Sequence, residues 1–144
     1  MANRGNIRQV VAYLRKAGGD VMDRAKDEVQ ATGLEVRNEA MRAAPVDLGK
    51  LRQSIQVNPE RNREAITITA GNISDNSRNY AAFVEFGTGR KVQVPRGFEK
   101  MAMQFKGRRQ VQGMRARPYL VPAFNRGRVR LYNRLKRLAN EVGG

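Results

Sequence analysis

The sequence predicts a chain of mixed helix and strand, with a helical segment toward each end and a short β-hairpin between them, and three observations predict it. Apolar or small side chains recur every three or four residues from Ile7 through Val10, Leu14, Val21, Ala25, Val29 and Val36 to Ala40, the period that keeps one helical stripe inward. Polar and apolar residues alternate over 53–57 and again over 65–70, the period of a half-buried strand. Near the C-terminus Leu131, Leu135 and Leu138 return to helical spacing, with arginines on the opposite side.

Taken in order, 7–43 reads as a helical segment. Gly18 and Gly19 weaken it by about 1 kcal/mol each, so a kink or break is expected there, with Asp20 capping the second part and Gly33 a weaker interruption. Pro45 ends the run, because the residue before a proline disfavours the α region. The two alternating stretches, joined by the polar turn residues 58–64, read as a hairpin within a sheet region spanning 53–86. Tyr80, Phe83, Val84 and Phe86 fit a short helix or turn closed by Gly87, although their aromatic and β-branched content also suits a strand. Residues 87–117 form an extended basic loop in which Val92 and Val94 could make a short strand. Phe98, Met101, Met103 and Phe105 could sit there on a segment that orders on contact. So long a stretch without clear structure is usually functional or disordered. A proline-framed segment and the C-terminal helix occupy 118–142. Phe124, Leu131, Leu135, Leu138 and Val142, with Val129 or Arg128, line one side of that helix, and Arg126, Arg130, Arg134 and Arg137 form a cationic stripe on the other.

The 144 residues suit a single domain, 1–144, large enough to bury a core without staples. Cysteine and histidine are both absent, which excludes disulfides and thiolate chemistry and removes the commonest general base and transition-metal ligand. No apolar run approaches the roughly 20 residues of a membrane span, and no apolar block follows Met1 to Asn6, so a protein without signal peptide, made in the cytoplasm, is expected. Charge is uneven. Residues 86–144 carry 15 basic and two acidic residues, a net +13 of the chain's +15, so this part should face something anionic (DNA, RNA or an acidic protein) or spread its charge over a flexible segment.

Candidate chemistry is thin. Lys50 and Ser54 are four apart, but a loop lysine and a strand hydroxyl explain them. The remaining acids are mostly interleaved with bases along the first helical segment, a solvated face. Glu85 lies among aromatics and could be a buried acid; more often such a residue pairs with arginine or caps a turn. The run Gly87-Thr88-Gly89-Arg90-Lys91 lacks phosphate-loop spacing, and its glycines are better read as turn residues. No zinc or EF-hand spacing is present. Neither a cofactor nor a small-molecule substrate is expected. The serious signal is basic: Arg90, Lys91, Arg108, Arg109, Arg126, Arg130, Arg134 and Arg137 are the candidate contacts to phosphates or to an acidic neighbour.

Three further segments carry readings of their own. In Ala44-Pro45-Val46-Asp47-Leu48-Gly49-Lys50-Leu51-Arg52-Gln53-Ser54-Ile55, Pro45 stops the helix, Asp47 can accept turn N–H bonds and Gly49 permits the reversal, after which Leu51 and Ile55 enter the sheet. In Tyr80-Ala81-Ala82-Phe83-Val84-Glu85-Phe86-Gly87-Thr88-Gly89, Glu85, Gly87 and Thr88 set a tight turn beside the core. In Arg117-Pro118-Tyr119-Leu120-Val121-Pro122-Ala123-Phe124, Pro118 and Pro122 hold the chain extended so that Leu120 and Phe124 can dock. Together and in this order the three segments resemble the HK97 gp10-like family of phage morphogenesis proteins over about residues 7–142, with Leu48 where that family usually has Thr and Tyr119 where it usually has Phe.

The resemblance implies an α+β fold, with a long N-terminal helix and a C-terminal helix packed on a small, mainly antiparallel sheet. It implies a non-enzymatic virion protein of a tailed bacteriophage, in the neck or head-proximal tail. Such a protein acts in tail completion or head–tail joining as a subunit of a homo-oligomeric ring, commonly a hexamer, beside other neck and tail proteins and with possible contact to DNA passing through. The competing expectation is a sequence-independent nucleic-acid binder using the basic C-terminal half.

Overall fold

The computed structural model describes residues 4–45, 49–71, 77–104 and 113–143, and its element order is α1 (Arg4–Lys16), α2 (Gly19–Ala43), α3 (Gly49–Ser54), β1 (Gln56–Pro59), β2 (Ile66–Thr69), α4 (Ser77–Phe86), α5 (Glu99–Met103) and α6 (Leu120–Gly143), with a 3-10 turn at Gly89–Lys91. The fold is α+β: mostly helical, with one two-stranded antiparallel sheet, β1–β2.

The break in the first helical segment falls at Gly18, whose φ of 117° only glycine adopts at little cost. Because α2 begins at Gly19, Asp20 lies inside its first turn rather than at the cap position, where its charge still complements the helix dipole. The helix then runs through Gly33 to Ala43 without interruption. The hairpin is closed by the Glu60 N–H donating to the Ala65 carbonyl and the Arg63 N–H to that of Glu60.

Several expectations are corrected. Residues 53–57 are not one strand: Gly49–Ser54 is helical and β1 starts at Gln56. Leu51 and Ile55, four apart, are both buried, and the Ser54 hydroxyl donates to the Leu51 carbonyl at 2.6 Å, so local helical contacts outweigh an alternation of only five residues. Within 53–86 the strands cover only 56–59 and 66–69, while 53–54 and 77–86 are helical. Within 87–117 the described residues include the 3-10 turn and α5, and Val92 and Val94 are not in a strand. The segment 118–142 is helical from Leu120, so Pro122 sits in the first turn of α6 instead of holding an extended chain. A proline is tolerated there because the first N–H groups of a helix have no intrahelical partner to lose.

The chain divides into two compact units. The first comprises residues 1–36, 57–68 and 124–144. Its core is Leu14, Ala25, Leu135 and Leu138, packed by Val10, Val11, Val21, Met22, Leu131 and Ala139, so the apolar stripes of α1, α2 and α6 meet in one cluster. There α6 approaches α2 closely at Gly127: a Cβ on that residue would lie 2.1 Å from Val36 Cγ2. The second unit comprises 37–56 and 69–123, with a cluster of Phe86, Ala102 and Val121 packed by Ala82, Val92 and Phe98.

Candidate functional site

Within the second unit the chain around Glu85 binds the start of α6. Glu85 is the last but one residue of α4, and its side chain is 4% exposed. One carboxylate oxygen, Oε2, accepts the Tyr119 and Leu120 backbone N–H groups at 2.8 and 2.9 Å, and Oε1 accepts that of Val121 at 2.8 Å. These are first-turn donors with no intrahelical partner. A carboxylate suits them doubly, as acceptor and as the negative charge that a helix N-terminus favours. Tyr119 is almost wholly buried, and its hydroxyl donates to the Ala81 carbonyl at 3.2 Å. Burial, with the Glu85 charge adding to it, raises the Tyr119 phenol well above its usual range.

The chain after α4 is tied to the same place. The Gly87 N–H donates to the Phe83 carbonyl, the Thr88 N–H to the Met114 carbonyl, and the Met114 N–H returns to the Thr88 hydroxyl at 2.7 Å. The Arg117 N–H donates to the Val84 carbonyl at 2.7 Å. Gly87 has a φ of 79°, and a Cβ there would meet the Met114 and Lys91 carbonyl oxygens at 2.7 and 2.9 Å, so both the turn and the close approach require glycine.

Of the other motif residues, Pro45, Leu51 and Ile55 are buried, whereas Gly49, Tyr80 and Pro118 are exposed. Phe86 belongs to the core cluster. Phe124 is 38% exposed, with Arg128 over its ring, and Leu120 is half-buried. The buried positions of this segment are Tyr119, Val121 and Ala123, because entering a helix changes which residues face inward. Asp47, Arg108, Arg109 and the side chain of Arg90 lie outside the described residues.

Part of the cationic stripe on α6 is engaged within the first unit. Arg134 donates to the Thr32 hydroxyl at 2.9 Å and to Glu35 at 2.8 Å, with Glu28 at 4.0 Å, and Arg130 lies 3.3 Å from Glu35. The hydrogen bond from Arg134, with the charges of both arginines, holds Glu35 below the usual carboxylate range. Two of the four stripe arginines thus pair α6 with α2, while Arg126 and Arg137 are exposed. The sequence carried a usable signal: Glu28 and Glu35, seven apart, share one face of α2. Arg15–Glu64, Arg24–Glu141 and Arg63–Asp27 are further pairs in this unit.

Among the described residues the arrangement offers no nucleophile–base pair. Lys50 and Ser54 share α3, but the Ser54 hydroxyl donates to the Leu51 carbonyl and accepts the Gly71 N–H. Among the described residues no group of acids is placed to hold a metal, and no helix is long and apolar enough to cross a membrane. A hollow of about 130 Å³ in the first unit, lined mostly by Val11, Leu14, Met22, Ala25, Val29 and Leu135, is an apolar packing gap.

Among known proteins, residues 8–87 match the family model described as "Bacteriophage HK97-gp10, putative tail-component". No curated protein and no solved structure matches the chain.

Proposed function

The chain belongs to the HK97 gp10-like family, a family of phage tail components, and from that premise we propose that it works in the neck or head-proximal tail, as one subunit of a homo-oligomeric ring that completes the tail or joins it to the head. The observation that carries this reading is the family match across α1, α2, α3, the hairpin and α4 up to Gly87. The mechanism is assembly: surface buried between subunits, with no turnover, in a head-to-tail interface whose rotation closes. The ring is commonly sixfold in such proteins. Its partners are further copies of the chain and neighbouring neck and tail proteins, and it resides in the virion after synthesis in the host cytoplasm.

The competing reading, a nucleic-acid binder acting through the α6 arginines, is weakened by the engagement of Arg130 and Arg134 with Glu35. Quantitative mass spectrometry of purified particles tests the proposal by counting this chain against the major capsid protein. About six or about twelve copies per particle fit a closed ring. Absence from the particle overturns the reading.

A further inference from the structure

We propose that the α5 face of the second unit docks an acidic protein segment that carries apolar side chains of its own. The source of that segment, a neighbouring particle protein, rests on the assembly reading above; the surface itself does not.

Charge points to this face. In the first unit Asp27, Glu35, Glu64 and Glu141 are each paired with an arginine. In the second unit two of the carboxylates are committed to backbone instead: Glu85 to three N–H groups of the α6 start, and Glu99 to the Gly97 N–H at 3.0 Å. The side-chain cations of Lys91, Lys100 and Arg115 are exposed and have no carboxylate partner among the described residues. They belong to one region. The backbones of Lys91 and of Met114 and Ala116, which flank Arg115 in sequence, both approach Gly87, and α5 packs through Ala102 on the cluster that holds Phe86 and Val92.

Apolar exposure on the same face sets the kind of partner. Ala102 points inward and is fully buried. At helical spacing, Met101 and Met103 then flank the buried side and Lys100 stands between them on the outside. Met101 is 54% and Met103 49% exposed, and Val94 is exposed nearby in sequence. A phosphate backbone would neutralise the lysines and leave the thioethers in water. Among the described residues the aromatics here, Phe86 and Phe98, are held in or against the core cluster and offer no platform for stacked bases. Flexible methionines beside lysine match an amphipathic acidic segment, whose apolar side chains they can fit and whose carboxylates the cations can meet.

The test is fluorescence anisotropy on the full chain with three labelled probes: a synthetic amphipathic helix with glutamates on one face and leucines on the other, an all-glutamate peptide of equal length, and a DNA duplex. The amphipathic probe should bind tightest. Replacing Met101→Ser with Met103→Ser should weaken it about tenfold while leaving the all-glutamate probe unchanged. The triple change Lys91→Glu, Lys100→Glu and Arg115→Glu should abolish binding of both peptides. All these positions are exposed, and circular dichroism checks that the variants stay folded. Equal binding of the two peptides, or tighter binding of the duplex with no effect of the methionine changes, overturns the proposal. Particle counting separates the two readings: a chain present in virions whose methionine variants bind the amphipathic probe normally refutes the docking face alone, whereas absence from virions refutes the assembly role whatever the peptides do.

Discussion

Replacing Glu85→Gln should cost about 2–4 kcal/mol although it removes no heavy atom. The wild-type carboxylate accepts three backbone N–H groups at 2.8–2.9 Å in a site 4% exposed to solvent. A glutamine can place its carbonyl oxygen where Oε2 receives Tyr119 and Leu120. Its NH₂ then faces the Val121 N–H, donor against donor. One charge-assisted hydrogen bond is lost, worth about 1.5–3 kcal/mol, and so is the negative charge at the helix start, worth about 0.3–1 kcal/mol and up to about 2 when partly buried. Glu85→Ala removes all three acceptors and opens a cavity, so it should cost more, about 3–5 kcal/mol. Denaturant unfolding followed by circular dichroism measures both, and for a chain of this size each kcal/mol corresponds to roughly 2–4 °C in Tm. Hydrogen exchange at Tyr119, Leu120 and Val121 should accelerate in Glu85→Gln before exchange elsewhere in α6. A Glu85→Gln protein within about 0.5 kcal/mol of wild type, with those amides still protected, would refute the carboxylate's role in starting α6.

Two further outcomes follow from the first unit. Gly127→Ala gains about 1 kcal/mol of helix propensity but drives a methyl to 2.1 Å from Val36 Cγ2; a helical valine has one strongly preferred rotamer and cannot swing aside, so overpacking of about 1–3 kcal/mol should prevail. Adding Val36→Ala should restore tolerance, and a Gly127→Ala protein more stable than wild type would contradict this packing. The Glu35 carboxyl is held below its usual value of 4.5 by Arg134, so its contribution is present above that pH and is lost as pH falls through the lower folded-state value. The pair is part-exposed and screened, which limits it to at most about 1 kcal/mol. Glu35→Gln should therefore flatten the acid limb of a stability-versus-pH curve at low salt, and an unchanged acid limb would show the pair to be inert.

Local periodicity makes most of the helices legible in the order of residues alone. The three-and-four spacing from Ile7 onward, the glycine pair that divides it, the leucines of α6 and the aromatic run ending at Gly87 all express contacts made within a few residues. The same logic misplaces residues 53–57, because an alternation of five residues does not reveal that Leu51 and Ile55, four apart, are both buried around the end of α3.

What the sequence by itself determined was the helical ends, the hairpin, the concentration of positive charge after Phe86 and the motifs that mark the family. What only the tertiary structure decided was the work of individual charges and glycines. Glu85 finds its donors 34 to 36 residues away, and Arg134 finds Glu35 at a separation of 99, so two arginines of a stripe that reads as a cationic surface are paired with α2 instead. Gly127 reads as a weak point in a helix, yet it is where α6 meets Val36. Helical period is a property of neighbours along the chain, whereas the partner of a charge and the space for a Cβ are set by residues that only folding brings together.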